Sequence, residues 1–329
     1  MKILLTGDWH STKGIKANIC INFLDYAHAY FKENNYDLLI VLGDIFDRSA
    51  NIKNEAFVPL FMKLYEMHQD GIKMIFILGN HDIYNIDNDS IVETFKPLGK
   101  VVKDYEEIEF NGETFGFMPY TKDEDKVNSY PSNIILFTHV PIADFSFDNA
   151  FHATEKHAFK RSLFERARLV FTGHFHRHQN WRNIIYVGSP FQQNRGETGQ
   201  SKGFVTYDTE TENWEFVEYN DAPKYVEITT ENIPQIKNFD FKNSFVTVRV
   251  DRKIKDFAKL KYILYEMGAL DIIPIFEHSD ETVEINDDEI EVNESIEDVV
   301  REVIMSVEDD RIDNKKLLEI FDKILKETK

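Results

Sequence analysis

A layered α/β domain with a second sheet packed on the first is the fold class this sequence predicts, and three features carry the prediction. Short apolar runs alternate with helical patterns over the first half of the chain, further strands then follow without helices between them, and the pattern changes again after residue 223. The buried strands read "KILLT", "DLLIVL", "KMIFIL", "NIILFT" and "RLVFT", and the clearest helices span 17–34 and 56–68. The segment "EIEFNGETFGFM" is a hairpin, because Asn111-Gly112 suits a tight turn. "IIYVG", "GFVTY" and "NWEFVEY" are expected to supply the second sheet. The first domain is expected to close at 1–220. A small unit with a strand, helix, strand pattern follows at 224–278, then an acidic linker at 279–294 and two short helices at 295–329.

Composition narrows the function. With 42% hydrophobic residues in 329, the chain can bury a sizeable core. No apolar stretch is long enough to span a bilayer and the start carries no cleavable-signal pattern, so a cytoplasmic protein without membrane partners is expected. A single cysteine, Cys20, excludes disulfide frameworks and thiolate zinc sites and reads as a core residue. The net charge of −20 argues against a simple nucleic-acid binder, but its distribution is uneven. Residues 280–329 hold 18 acidic and 7 basic residues, whereas 151–202 hold 9 basic and 3 acidic. A phosphate-bearing substrate fits the second stretch; an ordinary solvated surface is the commoner fate of such clusters.

The chemistry-bearing residues stand where strands stop. "GDWH", "GDIFD", "GNHD", "THVP" and "GHFH" follow the five strands and supply Asp8, His10, Asp44, Asn80, His139, His174 and His176. Strand carboxyl ends form the ligand crevice of an α/β sheet, so these side chains can converge. Carboxylate, imidazole and amide oxygen without thiolate suit Mn²⁺, Fe²⁺, Zn²⁺ or Mg²⁺. Seven donors exceed the need of one ion; two ions sharing a carboxylate, about 3.5–4 Å apart, would use them all in phosphoester cleavage. His28, His68, His152, His157 and His278 read as ordinary hydrogen-bonded or surface residues. His178 has two readings, support or substrate contact on one side and plain surface on the other.

In these five motifs the sequence resembles the calcineurin-like metallophosphoesterases, and over nearly its whole length the SbcD type of double-strand-break repair nuclease, including phage recombination subunits. "YVGSPFQQNRGETGQSKGFVTYDTET" is similar to the segment that follows GHxH in those nucleases. The resemblance implies an α/β/β/α sandwich with a small α/β capping domain and a C-terminal helix pair. It implies one ion on Asp8, His10, Asp44 and His176 and another on Asp44, Asn80, His139 and His174, with Mn²⁺ the first choice and Mg²⁺ or Zn²⁺ open. His81 takes the general-acid position, and an Asp47 carboxylate is expected to orient its ring, although some relatives hold a histidine at that position. Also implied are 3′ to 5′ exonuclease action on duplex ends, endonuclease action on single strands, and a homodimer bound to an SbcC-type coiled-coil ATPase through the terminal helices. Those helices carry apolar stripes, Ile296, Val299, Val300, Val303 and Ile304, then Leu317, Leu318, Phe321, Ile324 and Leu325, which on pattern alone suit folding back onto the first domain equally well; the resemblance is what favours a partner. Lys156, Lys160, Arg161, Arg177 and His178 are the expected DNA contacts, with Arg166 and Arg168 in the same basic stretch. A host-cytoplasm location follows if the chain is phage-encoded. The competing readings are a stand-alone metallophosphatase or nucleotide phosphodiesterase, because "GDIFDR" is also similar to phosphoprotein phosphatases, and a metal-free scaffold, which intact donors oppose.

Overall fold

The computed structural model describes residues 1–48, 52–85, 89–110, 112–146, 152–229, 236–250 and 257–276, with 315, 316, 318, 321 and 322. The chain divides into two units, Met1–Glu277 and His278–Lys329. His278, the linker at 279–294 and the helix pair at 295–329 fall outside the described residues, those last five positions excepted.

The first sheet is built on β1 (Lys2–Thr6), β2 (Leu38–Val41), β3 (Met74–Ile77) and β4 (Lys100–Val102), all parallel. Helices α1 (Ile15–Glu33) and α2 (Asn54–Gln69) make the first two crossovers. Each helix buries one stripe, Ile19, Phe23, Ala27 and Phe31 in α1 and Ala56, Leu60, Leu64 and Met67 in α2. Both end in the same closure. Asn35 (φ 55°) and Gly71 (φ 85°) enter the left-handed region, and Tyr36 and Ile72 donate back to the Phe31 and Met67 carbonyls at 3.1 Å.

The second sheet has the order β5-β6-β7-β8-β10-β9, from β5 (Glu106–Phe110), β6 (Glu113–Met118), β7 (Ile135–Thr138), β8 (Leu169–Thr172), β9 (Gln179–Trp181) and β10 (Ile184–Tyr186). β6, β7, β8 and β10 run parallel. Alternation along the strands assigns each side chain to a layer. Ile3, Leu5, Leu38, Ile40, Ile75 and Ile77 face Phe115, Phe117, Ile135, Phe137 and Phe171 between the sheets. Leu4, Leu39, Val41, Met74 and Phe76 point the other way, onto α1 and α2. The outer face of the second sheet is covered by loops, the four-residue α3 (Glu124–Val127) and a 3₁₀ turn at Arg161–Phe164, so the outer helical layer of the sandwich is thin on that side.

Two sequence expectations need correction. "IIYVG" enters the second sheet as β10, but "GFVTY" and "NWEFVEY" become β11 (Gly203–Asp208) and β12 (Asn213–Glu218), antiparallel additions to the β1 edge of the first. The motif strands themselves divide, three in the first sheet and two, β7 and β8, in the second. The physical reason is that β7, β8 and β11 are buried on both faces, and such a strand has the same apolar content in either sheet, while β12 follows β11 as its hairpin partner. The small unit also holds one more strand than its pattern suggested: β13 (Lys224–Thr229), β14 (Ser244–Val250), α4 (Phe257–Glu266) and β15 (Ala269–Phe276) form a parallel three-stranded sheet. That sheet keeps its own core of Ile228, Val246, Val248, Leu260, Leu264 and Ile272.

Candidate metal centre

The carboxyl ends of β1, β2 and β3 meet those of β7 and β8 at one shared edge of the sandwich, and all seven sequence-selected donors come together there. The turns that deliver them are strained. Asp8, His10, Asp44 and His174 sit at φ 52°, 44°, 51° and 88°, a region that L side chains seldom adopt. The glycines preceding two of the donors have no room for a side chain. A Cβ on Gly79 would lie 2.2 Å from Asp44 Oδ1, and one on Gly173 would lie 2.5 Å from the Leu42 carbonyl oxygen. Main-chain bonds sew the loops together: Asp8 N–H donates to Gly43 O at 2.9 Å and His10 N–H to Asp44 O at 3.0 Å. His174 N–H reaches Asp8 Oδ1 at 3.0 Å, and His81 N–H reaches Asp44 Oδ1 at 2.8 Å.

Three groups of ligand atoms lie within 4.8 Å of one another: Asp8, His10 and His176; His10, Asp44 and His81; Asp44, His139 and His174. His10 Nε2 is 3.0 Å from His176 Nε2, and His139 Nε2 is 3.3 Å from Asp44 Oδ2 and 3.2 Å from Asn80 Oδ1. His174 Nδ1 stands 2.7 Å from Asn80 Oδ1. The far nitrogens are already committed, His139 Nδ1 to the Leu42 carbonyl at 2.6 Å and His176 Nδ1 to Glu197 Oε1 at 2.8 Å. The inward nitrogens, Nε2 of His10, His139 and His176 and Nδ1 of His174, thus crowd against one another and against the Asp44 and Asn80 oxygens, a cluster of potential lone-pair donors around one point. Donors of this kind, oriented from behind, fit a pair of divalent cations.

The electrostatics show where positive charge is wanted. Burial opposes charge on His139, yet Asp44 beside it lifts the imidazole to about 9, and the same contacts hold Asp44 well below the carboxylate range despite its burial. Burial and the neighbouring histidines, His176 for His10 and His139 for His174, push both groups down to about 3. They stay neutral at neutral pH, as ligands must.

His81 and Asp47 meet differently from expectation. His81 Nδ1 is held by the main-chain carbonyl of Asp47, while the Asp47 carboxylate is half exposed and lies 3.9 Å from His10 Nδ1. The carboxylate thus does not orient the His81 ring, because the GDIFD loop turns its backbone rather than its side chain toward it. His178 is also corrected: its ring stacks on Phe216 at 4.1 Å and its Nδ1 meets the Tyr186 carbonyl at 2.9 Å, so it packs between elements. Arg161 pairs with Asp144 at 3.2 Å and lies over Trp181; Arg166 lies over Tyr130; Arg168 pairs with Glu113 and Glu212 at the start of β8. Lys156, Lys160 and Arg177 are exposed. Lys156 lines a cavity of 530 Å³ with Tyr120, Pro141 and His157, which adjoins one of 680 Å³ lined by His157, His174 and His176.

Sequence reasoning missed two buried acids. Asp82 accepts from Ile45 and Phe46 N–H at 3.0 and 3.4 Å and from Gly79 N–H at 2.9 Å, clamping the second and third motif loops; burial and Asp44 raise it to about 7. Glu197 meets His176 and Lys202; burial opposes its charge, but the His176 hydrogen bond and Lys202 hold it at about 2. The final Asp of "GNHD" was a visible signal for the first. Nothing in "NRGETGQSKG" distinguishes Glu197 from surface charge.

A two-sheet sandwich carrying this donor set at its shared edge defines a metal-dependent phosphoesterase. The chain belongs to the calcineurin-like phosphoesterase family, whose profile matches residues 1–178. It is 26% identical over 334 residues to exonuclease subunit 1 of Enterobacteria phage T4, covering 94% of each chain. Among solved structures it is similar to an archaeal phosphodiesterase at 16% identity, covering 66% of this chain and 99% of that one with a TM-score of 0.38. It is also similar to Pseudomonas putida nuclease MPE at 17% identity, over 62% and 83% of the two chains with a TM-score of 0.32. No helix among the described residues is long and apolar enough to cross a membrane.

Proposed function

We propose that this protein is a two-metal DNA nuclease, acting 3′ to 5′ on duplex ends and endonucleolytically on single strands, in recombination, repair or replication. The convergence of seven donors and His81 at one edge carries the reading. The full-length likeness to a protein named as an exonuclease subunit supports it. Asp8, His10, Asp44 and His176 would hold one ion and Asp44, Asn80, His139 and His174 the other, with Mn²⁺ the working metal. When bound, the pair would neutralise charge on the phosphoryl oxygens and lower the pKa of the attacking water. His81 donates the proton to the leaving oxygen. With Nδ1–H given to the Asp47 carbonyl, its Nε2 is left for the substrate, and the His10 ring packs edge-on at 4.7 Å to hold the plane.

Because a carbonyl makes the contact, Asp47→Ala is expected to lower kcat/KM on a phosphodiester by far less than the ~10²-fold floor of general-acid help. A loss of that size would show that the carboxylate matters after all.

Lys156, Lys160 and Arg177 are the proposed DNA contacts, since they stay exposed while Arg161, Arg166 and Arg168 are engaged in protein contacts. Exposed Val58, Met62 and Tyr65 form one stripe along α2 and support a homodimer. The proposed domains are a nuclease domain at 1–220, a capping domain at 224–278, a linker at 279–294 and a partner-binding segment at 295–329 that engages an SbcC-type coiled-coil ATPase in the cytoplasm. The test is an assay with Mn²⁺ on blunt duplex, single-stranded DNA and a phosphate monoester. DNA should be cleaved and the monoester spared; the reverse pattern would favour a stand-alone phosphatase. Removing 295–329 should leave hydrolysis of a small phosphodiester intact and abolish co-purification with the ATPase. Undiminished binding by the shortened chain would refute the partner assignment.

A further inference from the structure

We infer that Glu197, fixed by Lys202, is a positioning residue for the ion assigned to Asp8, His10, Asp44 and His176, an inference that rests on the two-metal reading above. Glu197 lies on a 3₁₀ turn, Arg195–Glu197, between β10 and β11, outside all five motifs. It is 1% exposed and Lys202 3%. Every oxygen is used. Oε1 accepts from His176 Nδ1–H at 2.8 Å and Asn194 Nδ2 at 3.0 Å, while Oε2 accepts from Gln193 N–H at 3.0 Å and meets Lys202 Nζ at 2.6 Å. Lys202 Nζ in turn donates to the His176 carbonyl at 2.7 Å and to Ser189 Oγ at 2.9 Å. One ion pair therefore grips His176 at both ring and backbone and leaves Nε2 facing His10.

The same loop reaches the other donors of that ion. Gln193 Nε2 donates to the Asp8 and Trp9 carbonyls at 3.1 and 3.3 Å, holding the turn from which Asp8 and His10 project. Tyr225 of β13 fixes the loop from outside through its hydroxyl on the Gln193 carbonyl at 3.1 Å and its N–H on Gln192 Oε1 at 2.7 Å. The opposite half of the centre has a neutral counterpart, since His139 Nδ1 rests on the Leu42 carbonyl. The two ions are thus supported unequally. A buried ion pair contributes little net stability compared with apolar residues of the same volume. A carboxylate behind a ligating imidazole, by contrast, fixes its tautomer and raises its basicity.

The test titrates Mn²⁺ into EDTA-stripped full-length protein, followed by calorimetry and electron paramagnetic resonance. Wild type should bind two ions and show a coupled signal; fewer than two in wild type would overturn the two-metal reading and this inference together. Glu197→Ala should weaken one ion by about 10- to 100-fold and leave the other unchanged. At a Mn²⁺ concentration that fills both wild-type sites, its spectrum should be the six-line signal of an isolated ion. The double variant Glu197→Gln, Lys202→Met removes both buried charges and keeps an acceptor for His176 Nδ1–H. It should fold, lose about tenfold at the same site, and decide the question if the alanine variant does not fold. Wild-type affinity at both sites, or equal weakening of both, in either folded variant would overturn the assignment of Glu197 alone.

Discussion

Asp44→Asn is expected to abolish phosphodiester hydrolysis while leaving the fold intact. The Asp44 carboxylate lies 3.6 Å from His10 Nε2 and 3.3 Å from His139 Nε2, between the two groups of donors, so it is the side chain both ions would share. Asparagine keeps an oxygen for the His81 N–H but removes the charge. Since disturbing residues behind a ligand costs about 10- to 100-fold, loss of the shared carboxylate should exceed 100-fold. His139→Ala should behave similarly, and excess EDTA should reproduce the loss reversibly in wild type. The check is kcat/KM beside the thermal midpoint: the midpoint without metal should stay near wild type, and the upward shift on adding Mn²⁺ should vanish. Full turnover by either variant, or in excess chelator, contradicts the metal assignment.

His81→Asn should lose about 10²- to 10⁴-fold in rate with both ions still bound. The imidazole is close enough to the centre to act there, one ring nitrogen lying within 4.8 Å of the His10 and Asp44 donor atoms, but the donors assigned to the ions suffice without it. A substrate with a good leaving group needs less protonation, so the loss should shrink on an activated aryl phosphodiester. Metal content measured alongside rate separates the roles. An inactive variant that has also lost an ion makes His81 a ligand, and normal turnover with two ions removes it as the acid.

The donors were legible in the sequence because each follows a short apolar strand after a small set of residues, and a strand end fixes where its next residues go. α1 and α2 were legible from their stripes, within a few residues at each end. Sheet membership was not. β7, β8, β11 and β12 differ in hydrogen-bonding partners, which composition does not encode. β13 was missed because "KYVEIT" buries only Ile228 fully and, with Lys224 and Glu227 in its six residues, reads as a polar connection. Glu197 and Lys202 look like surface charge in a polar stretch, and their burial exists only once that stretch folds against His176. The Asp47 carbonyl was invisible for a different reason: residue type reveals side chains, whereas the group that holds His81 belongs to the backbone.

The most direct test of the two-metal centre is anomalous diffraction from crystals grown with Mn²⁺. Two peaks per chain are expected among Asp8, His10, Asp44, Asn80, His139, His174 and His176, with Asp44 touching both and His81 neither. A single peak, or a second one bound outside these seven residues, would contradict it.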